Sequence, residues 1–296
     1  MHRAYHAIPP FTKNGVLVNA VYGFFSAYLA NISALKPTYV AVAFDVKGKT
    51  FRDDLFENYK AKRVKPPQNF YDQIPIIKNI LRVMEAPILE EKGYEADDVI
   101  GSIADKIKEQ RLKSKDLGKN LKIIIISGDK DILQLIDGND VTVLNFKKGL
   151  KDGEIIDEEK FKSIYGFAPI NMIDFKALCG DSSDNIPGVA GIGEKTALKL
   201  IQEYTTVENI YANVDTIALA KSVVHKLHLQ KAMAELSKKL ATIKTDLTLK
   251  FDIASAKLHD FDEAKVVKEF EKLGFQSLIK RLPKSTRMAT ENQKLF

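Results

Sequence analysis

The sequence predicts an α/β domain with a mostly parallel sheet flanked by helices, followed by an all-helical domain. Short β-branched runs alternate with helical patterns from about residue 38 to about residue 165, which is typical of parallel strands joined by helical crossovers. Beyond this point the apolar spacing is helical and the turns are rich in glycine. We therefore expect an α/β domain over 1–167, a helical domain over 168–280, and a polar tail or linker over 281–296.

Each predicted element has its own signature in the chain. Val18, Val21 and Phe25 recur at helical spacing, and Pro37 ends the helix that they predict over 15–36. The run TYVAVAF is too short for a helix and apolar on both sides, which predicts a buried parallel strand over 38–44. By the same criteria we expect, in order, a helix over 70–85, a strand over 86–89, a helix over 94–110, a strand over 121–127, a helix from 131 and a strand over 140–145.

Composition limits the class of protein. The chain has 296 residues, 45% hydrophobic and 28% charged, so globular domains with real cores are expected. Its one cysteine, Cys179, excludes an internal disulfide and fits a reducing cytoplasm. No apolar run approaches the ~20 residues that span a bilayer, so we expect no membrane segment. The net charge of +6, with a pI near 9.0, favours a polyanionic partner such as nucleic acid.

Eight carboxylates follow predicted strands or open the elements after them. In an open parallel sheet, ligands bind beyond the carboxyl ends of the strands, so acids from separate segments are expected to meet there. The eight are Asp45, Glu95, Asp97, Asp98, Asp129, Asp131, Asp181 and Asp184. Taken singly, each also fits a helix cap, a first helical turn or a surface turn.

Taken together, the eight acids predict a metal site. Carboxylates gathered within a few ångströms repel one another unless cations neutralise them. Oxygen ligands without His or Cys favour Mg²⁺ or Mn²⁺ over zinc. So many acids favour two ions, the arrangement that binds both oxygens of a phosphodiester during an in-line displacement.

The segment GVAGIGEKTALKLI predicts a contact with a phosphate backbone. Gly188, Gly191 and Gly193 precede an amphipathic helix, and glycine lets the backbone approach a phosphate closely at a helix N-terminus. Lys195 lies in the first helical turn, where its charge opposes the helix dipole, and a phosphate would account for it. A plain turn between two helices is the alternative. The spacing does not fit GxxxxGK[ST], and a helix–hairpin–helix that binds a DNA backbone is the better interpretation.

Four blocks of the chain carry a family resemblance: AFDVKGKTFR, YEADDVIG, SGDKDILQLI and GDSSDNIPGVAGIGEKTA. In this order they resemble the 5′–3′ exonuclease domain of bacterial DNA polymerase I, which belongs with phage 5′ nucleases and flap endonucleases. The resemblance runs from about residue 3 to about residue 250. It implies a PIN/5′-nuclease-like fold and a metal-dependent, structure-specific nuclease. Its substrate would be DNA with a 5′ flap, nick or 5′ end, RNA primers included, in repair and primer removal.

The resemblance also implies roles for individual residues. It implies that the eight acids bind the metal ions, and that the segment from Gly188 to Lys195 grips duplex DNA and holds a K⁺ ion through main-chain oxygens. Arg3 resembles an arginine near the scissile phosphate, with Tyr5 beside it, and Lys176, like Lys195, resembles a phosphate-contacting lysine.

The resemblance implies a mobile helical arch over about 46–69, in which YKAKR places Lys60 and Arg63 on the DNA strand. Basic and aromatic side chains interleave in this stretch, as single-strand binding requires. They are Phe51, Arg52, Phe56, Tyr59, Lys60 and Arg63. A solvated, exposed helix is the alternative interpretation.

The family pattern starts with a hydrophobic strand that ends in Asp-Gly shortly before the position of Arg3, whereas this chain begins at Met1. Two explanations are open: the start is placed wrongly, which we favour, or the chain is truncated. In the second case it would be a catalytically weak or inactive module that binds flaps and nicks. We further expect a monomer in the bacterial cytoplasm, and the sequence leaves open whether a polymerase domain is part of the full-length protein.

Overall fold

The computed structural model describes residues 1–113, 121–146, 153–258 and 261–283. Its helices are α1 (His2–Ala7), α2 (Asn19–Leu35), α3 (Phe51–Leu55), α4 (Gln68–Tyr71), α5 (Gln73–Val83), α6 (Ala96–Lys113), α7 (Glu158–Tyr165), α8 (Met172–Cys179), α9 (Glu194–Tyr204), α10 (Val207–Ala212), α11 (Lys221–Leu229), α12 (Lys231–Ala241), α13 (Glu263–Lys272) and α14 (Gln276–Ile279). Its strands are β1 (Thr12–Lys13), β2 (Val16–Leu17), β3 (Val42–Ala43), β4 (Ile88–Leu89), β5 (Ile123–Ser127), β6 (Val141–Phe146) and β7 (Gly153–Ile156).

The strands form separate small sheets instead of the continuous sheet that the sequence predicts. β3 pairs in parallel with β4, with Val42 opposite Ile88. β5 pairs in parallel with β6, and β6 pairs antiparallel with β7. Within the described residues no strand joins β3 to β5. The predicted parallel pairing is therefore observed, while the predicted continuity of the sheet is not.

This division leaves one face of β5 open. Ile125 is buried, whereas Ile124 and Ile126 on the opposite face are 37% and 44% exposed. Apolar residues on both faces are typical of a strand that is covered on both sides. β5 therefore has an uncovered apolar face in the part of the chain that the structure describes.

The strand predicted over 38–44 is reduced to β3 because a later segment occupies its first half. The backbone N–H of Val40 donates to the carbonyl of Ala256, and Tyr39 forms an antiparallel bridge with Lys257. Only the last part of the run is left to pair with β4.

The helix predicted over 15–36 begins later, at Asn19, because a hairpin precedes it. Asn14 and Gly15 have positive φ angles of 51° and 78°. An Asn-Gly pair with this backbone is the preferred turn of a two-residue hairpin, and it joins β1 to β2. Val16, which lies inside the range predicted as helix, is therefore a strand residue of β2.

Two elements beyond β5 also differ from the prediction. The helix expected from residue 131 is a 3-10 helix over Asp131–Leu135. β7 has no signal in the sequence, because the alternation of Gly153–Ile156 is too short to mark a strand. It pairs along the outer edge of β6, and the chain then enters α7.

Two large hydrophobic clusters join the N-terminal and C-terminal parts of the chain. The first packs β5 and β6 against α8 to α12 and includes Val143 and Leu178. The second packs α2 and α5 against α13 and α14. In it the rings of Phe25 and Phe270 meet edge to face, 5.4 Å apart. The helical part predicted over 168–280 therefore does not pack as one separate unit.

The start of the predicted tail is packed against α2. Leu282 is buried, and the guanidinium of Arg281 donates to the hydroxyl and the carbonyl of Ser26. The rest of the predicted tail, 284–296, lies outside the described residues. Among the described helices, none combines the length and the apolar character that crossing a membrane requires.

Replacing Phe270 with Ala tests whether α13 belongs to this core. Phe270 is fully buried against Phe25, so we expect the free energy of unfolding to fall by about 3–5 kcal/mol. The control is Lys268→Ala on the exposed face of the same helix, which should change it by less than about 0.5 kcal/mol. Urea denaturation measures both variants, and equal effects of the two would contradict the packing of α13.

Candidate active site

Acid-bearing segments meet where β3 and β5 end and where α6 begins. Asp45 follows β3 and accepts a hydrogen bond of 2.8 Å from the backbone N–H of Ala96, the first residue of α6. Asp129 follows β5 and accepts one of 3.0 Å from the N–H of Asp131. The bond to Asp45 joins the end of β3 to the start of α6, whereas the bond to Asp129 lies within the segment that follows β5.

Asp97 lies where this negative charge is most concentrated. Burial, followed by the charges of Asp129, Glu95 and Asp45, raises its pKa to about 8, although Lys60 acts in the opposite direction. Groups that influence one another this strongly share a single site. The acids of α6 and those at the ends of β3 and β5 therefore form one cluster.

Lys176 joins two further acids of the site. Its ammonium pairs with Asp131 and, at 2.5 Å, with Asp181, and only 8% of the residue is exposed. Burial raises the pKa of Asp131 to about 6, because Lys176 offsets only part of that effect. Burial also opposes ionisation of Asp181, but hydrogen bonds from Lys176 and Ser183 outweigh it and lower the pKa to about 2. In this structure Lys176 is a counter-ion of the acids, and its contact with a DNA phosphate stays a prediction.

Glu95 and Asp184 are covered by side chains from the predicted arch. Lys60 pairs with Glu95 at 2.5 Å, and Arg63 pairs with Asp184 at 2.5 Å. The buried hydroxyl of Tyr59 lies 3.2 Å from an oxygen of Glu95 and 3.3 Å from an oxygen of Asp184. Burial raises the pKa of Tyr59 far above its usual value, so this hydroxyl stays neutral and its single proton lies within reach of both acids.

The predicted arch, 46–69, is closed onto the site, and little of it is helical. Helix occurs only in α3 and the first residues of α4, and turns fill much of the stretch between them. The N–H of Lys60 donates to the carbonyl of Asp184 at 2.9 Å, and the Asn185 side chain donates to the carbonyl of Asn58 at 2.7 Å. Backbone contacts therefore hold the arch segment against the loop that follows α8.

Arg52 and Asp98, predicted to contact DNA and metal, form a buried ion pair in this structure. They are 2% and 0% exposed, and two hydrogen bonds of 2.7 and 2.8 Å join them. The same guanidinium donates to the carbonyls of Leu240 and Thr242, and Asp98 accepts from the N–H of Lys244. Because this pair is used entirely within the protein, we remove both residues from the predicted metal and DNA contacts.

Arg3 lies beside the acids, and Tyr5 does not. The guanidinium of Arg3 donates to the carbonyls of Gly128, at 3.0 Å, and Phe146, at the ends of β5 and β6. The hydroxyl of Tyr5 donates instead to the Asn69 side chain at 2.7 Å, on α4. The predicted position of Arg3 near a scissile phosphate is therefore compatible with this structure, whereas Tyr5 points to the arch.

The glycine-rich loop 188–193 lies between α8 and α9, and its glycines differ in role. Gly188 has a φ of 63° and is buried, and a Cβ there would lie 2.3 Å from the backbone nitrogen of Gly180. It serves close packing of the loop on the end of α8. Gly191, Gly193 and Lys195 are exposed. Of the four positions in 188–195 that are predicted to contact phosphate, these three present their surface to a ligand.

Positive side chains stand between the acids of the cluster. Among the described residues, no three His, Cys, Asp or Glu side chains converge closely enough to hold a metal ion in their present positions. Lys60 lies 2.5 Å from Glu95 and 3.6 Å from Asp184, and Lys176 links its two acids in the same way. Each ammonium neutralises carboxylates from separate segments, as a hard divalent cation would. The all-carboxylate donor set therefore fits Mg²⁺ or Mn²⁺.

Three polar residues that support the site are not among the site residues predicted from the sequence. Ser183 donates its N–H and its hydroxyl to Asp181 at 2.8 and 2.6 Å. Gln134 is 4% exposed and binds the backbone that follows α12. Ser237 accepts from the N–H of Gly188 at 3.0 Å. Ser183 and Gln134 lie inside two of the family blocks and Ser237 lies outside them, and for all three it is the hydrogen-bond partners in the structure that reveal the role.

Family models cover most of the chain. A model described as the 5′–3′ exonuclease N-terminal resolvase-like domain matches residues 1–166, and one described as the 5′–3′ exonuclease C-terminal SAM fold matches residues 167–264. The chain belongs to the 5′–3′ exonuclease family. This confirms the resemblance on which the predicted fold class rests.

Two relatives illustrate the extent of this family likeness. DNA polymerase I of Caldicellulosiruptor bescii is 42% identical over 286 residues, which are 95% of this chain and 32% of that protein. The 5′–3′ exonuclease of Aquifex aeolicus is 35% identical over 292 residues, which are 98% of this chain and 94% of that protein. The chain thus spans about a third of the length of the polymerase and nearly the whole of the exonuclease.

Solved structures confirm the fold. The T5 5′-exonuclease with bound divalent zinc ions matches with a TM-score of 0.60 at 19% identity, over 88% of each chain. A T5 flap endonuclease complex with DNA and metal ions matches with a TM-score of 0.58 at 20% identity, over 88% of each chain. The catalytic core of Rad2 with a DNA substrate matches with a TM-score of 0.55 at 16% identity, over 95% of this chain and 86% of that one. The fold is therefore that of 5′ nucleases.

Breaking the buried Arg52–Asp98 pair should destabilise the protein. Asp98→Ala removes both hydrogen-bonded carboxylate oxygens from a buried guanidinium and leaves it the longer pair with Glu95 at 3.6 Å, so we expect the free energy of unfolding to fall by about 3–5 kcal/mol. Asp54→Ala, an exposed acid on α3, is the control and should change it by less than about 0.5 kcal/mol. Urea denaturation in EDTA measures both, and a matching small effect at Asp98 would rule out a structural ion pair.

The raised pKa of Asp97 predicts how the stability of the metal-free protein depends on pH. The folded protein keeps a proton on Asp97 that the unfolded chain loses above about pH 4, so the free energy of unfolding should fall as pH rises from about 4 to about 8. Asp97→Asn removes the ionisable group that causes this fall, so it should raise the free energy of unfolding at pH 8 by about 1–3 kcal/mol. Urea denaturation in EDTA at several pH values measures this. If Asp97→Asn does not raise the free energy of unfolding at pH 8, Asp97 is not buried among other negative charges.

Proposed function

We propose that this chain is a structure-specific 5′ nuclease that uses Mg²⁺ or Mn²⁺ to hydrolyse DNA at 5′ flaps, nicks and 5′ ends, RNA primers included. The main support is the gathering of carboxylates from four segments beside an exposed glycine-rich loop. Relatives named 5′–3′ exonuclease and DNA polymerase I support the reaction. The T5 flap endonuclease complex with DNA and metal ions supports the substrate.

We assign metal binding to seven of the eight predicted acids. They are Asp45, Glu95, Asp97, Asp129, Asp131, Asp181 and Asp184. Two ions are proposed because this many carboxylates carry far more charge than one divalent ion neutralises. When bound, the ions supply an activated water and stabilise the charge on the scissile phosphate. Asp98 stays in its pair with Arg52.

Lys60, Arg63 and Arg3 are the side chains that we propose to meet the phosphates near the scissile bond. Lys60 and Arg63 are held by Glu95 and Asp184 in this structure, and 24% and 47% of their side chains are exposed. Both become free for a phosphate when another cation neutralises those acids. Admission of a strand would also require the arch segment to release its backbone contacts with the loop after α8.

The exposed loop residues Gly191, Gly193 and Lys195 are the proposed contacts with the duplex, with a K⁺ ion on main-chain oxygens of the same loop. Glycine backbone at a helix N-terminus, with a lysine ammonium group in the first turn, favours the binding of a phosphate. A monomeric state and a cytoplasmic location remain predictions, and whether the full-length protein has a polymerase domain is left open.

Asp129→Ala tests the proposed reaction. This side chain influences acids on both sides of the cluster, so its loss should lower kcat on a 5′-labelled flap duplex by at least about 100-fold. Binding of the same duplex in EDTA should be unchanged or tighter, because one negative charge near the DNA is removed.

Glu271→Gln, an exposed acid on α13, is the matched control and should cleave like the unsubstituted protein. Denaturing gels of the labelled strand with Mg²⁺ measure the reaction for all three proteins. The proposal fails if the unsubstituted protein does not cleave, or if Asp129→Ala cleaves at full rate.

A second candidate function is flap or nick binding without turnover. The open apolar face of β5 and the gap between β3 and β5 favour it, because acids on an incomplete sheet are held less rigidly. It predicts salt-dependent binding without cleavage. Cleavage by the unsubstituted chain would exclude it. It also predicts that cleavage returns in a chain extended by an apolar strand that ends in Asp-Gly, and continued inactivity of the extended chain would exclude the incomplete sheet as the cause of the inactivity.

A further inference from the structure

Helix α11 presents a lysine and a glutamine to the glycine-rich loop. Lys226 and Gln230 are four residues apart, so they lie on the same side of this helix and its C-terminal end. The ammonium of Lys226 lies directly against Gly191, since a Cβ added at Gly191 would be 2.3 Å from it. Gln230 accepts from the N–H of Ala190 at 2.8 Å and donates to the carbonyl of Ala190 at 3.3 Å. Lys226 thus contacts Gly191, and Gln230 hydrogen-bonds both the backbone N–H and the backbone carbonyl of the preceding residue, Ala190.

The other side of the loop is fixed by apolar contacts. Val189 and Ile192 are 2% and 3% exposed and belong to the same cluster as Leu227 of α11. Because these residues are buried, the loop has one anchored side and one side open to solvent. The open side contains Gly191 and Gly193, with Lys226 lying across the first of them.

Lys226 has no carboxylate partner in the described part of the chain. Lys60, Lys176 and Lys238, by contrast, each pair with acids. An unpaired ammonium beside bare backbone leaves a positive potential where an anion can approach closely. Lys195, which is exposed at the start of α9, adds a second such charge from the other end of the loop.

We propose that Lys226 binds a phosphate of the duplex at this loop, and that Gln230 is the positioning residue that holds the loop backbone for that contact. The proposal rests on the proposed function. It extends the duplex-binding surface from 188–195 to α11, a helix in which the sequence shows no DNA-binding motif. The ligand is the phosphodiester backbone of double-stranded DNA.

Fluorescence anisotropy of a labelled 5′-flap duplex in EDTA tests Lys226 without turnover. Lys226→Gln should weaken binding about three- to tenfold near 0.1 M salt, and it should lower the slope of log K against log[salt] by about 0.9, the effect of one lost phosphate contact. Lys226→Arg keeps the charge and should keep the slope. Lys268→Gln removes the same charge from α13 and is the matched control, for which neither change is expected.

The outcomes separate this proposal from the proposed function. If the unsubstituted protein does not bind the flap duplex, both fail. If it binds, and a Lys226→Gln protein with a normal thermal melting curve binds with the same affinity and slope, only the proposal for Lys226 is overturned.

Gln230→Ala tests the positioning role. The substitution removes no charge, so the salt slope should stay the same while affinity falls about two- to fivefold. Amide hydrogen exchange at residues 190–193 should accelerate, because the loop loses its two hydrogen bonds to the side chain. Unchanged affinity, with or without faster exchange, would remove Gln230 from the proposal.

Discussion

Repulsion among carboxylates is the constraint on which the rest of this structure depends. The fold buries acids from four segments near one another, and burial, with a further contribution from the neighbouring carboxylates, raises the pKa values of Asp97 and Asp131 to about 8 and about 6. Such a group of acids persists only if cations lie among them. The arch and α8 supply these cations, so the docked arch brings positive charge to acids that would otherwise repel one another.

The cations around the acids fall into two kinds. Arg52 is buried and binds Asp98 and the end of α12 through its whole guanidinium, so that pair is a fixed part of the fold. Lys60 and Arg63 come from turns at the edge of the site and are partly exposed. Their contacts can be exchanged for others at far lower cost. In the proposed nuclease Arg52 stays in its buried pair, whereas Lys60 and Arg63 leave their acids and bind phosphates.

Much of the site could be predicted from the sequence, because strand ends and glycine-rich turns have local signals. Asp45 and Asp129 follow apolar runs, and position alone places them at one edge. The roles of Arg52 and Asp98 could not be predicted in this way, since an acid in a first helical turn looks the same whether it faces a metal or a buried arginine. The packing of α13 onto α2 was equally hidden, because amphipathic spacing shows that a helix packs but not against what.

The central claim is that the acid cluster exists to hold divalent ions. A titration of the protein with Mn²⁺, with free Mn²⁺ followed by electron paramagnetic resonance, measures this directly. The account predicts two saturable ions per chain, at least one of them lost in Asp129→Ala and both kept in the control Glu271→Gln. Absence of saturable binding, or equal binding by Asp129→Ala and the unsubstituted protein, would contradict it.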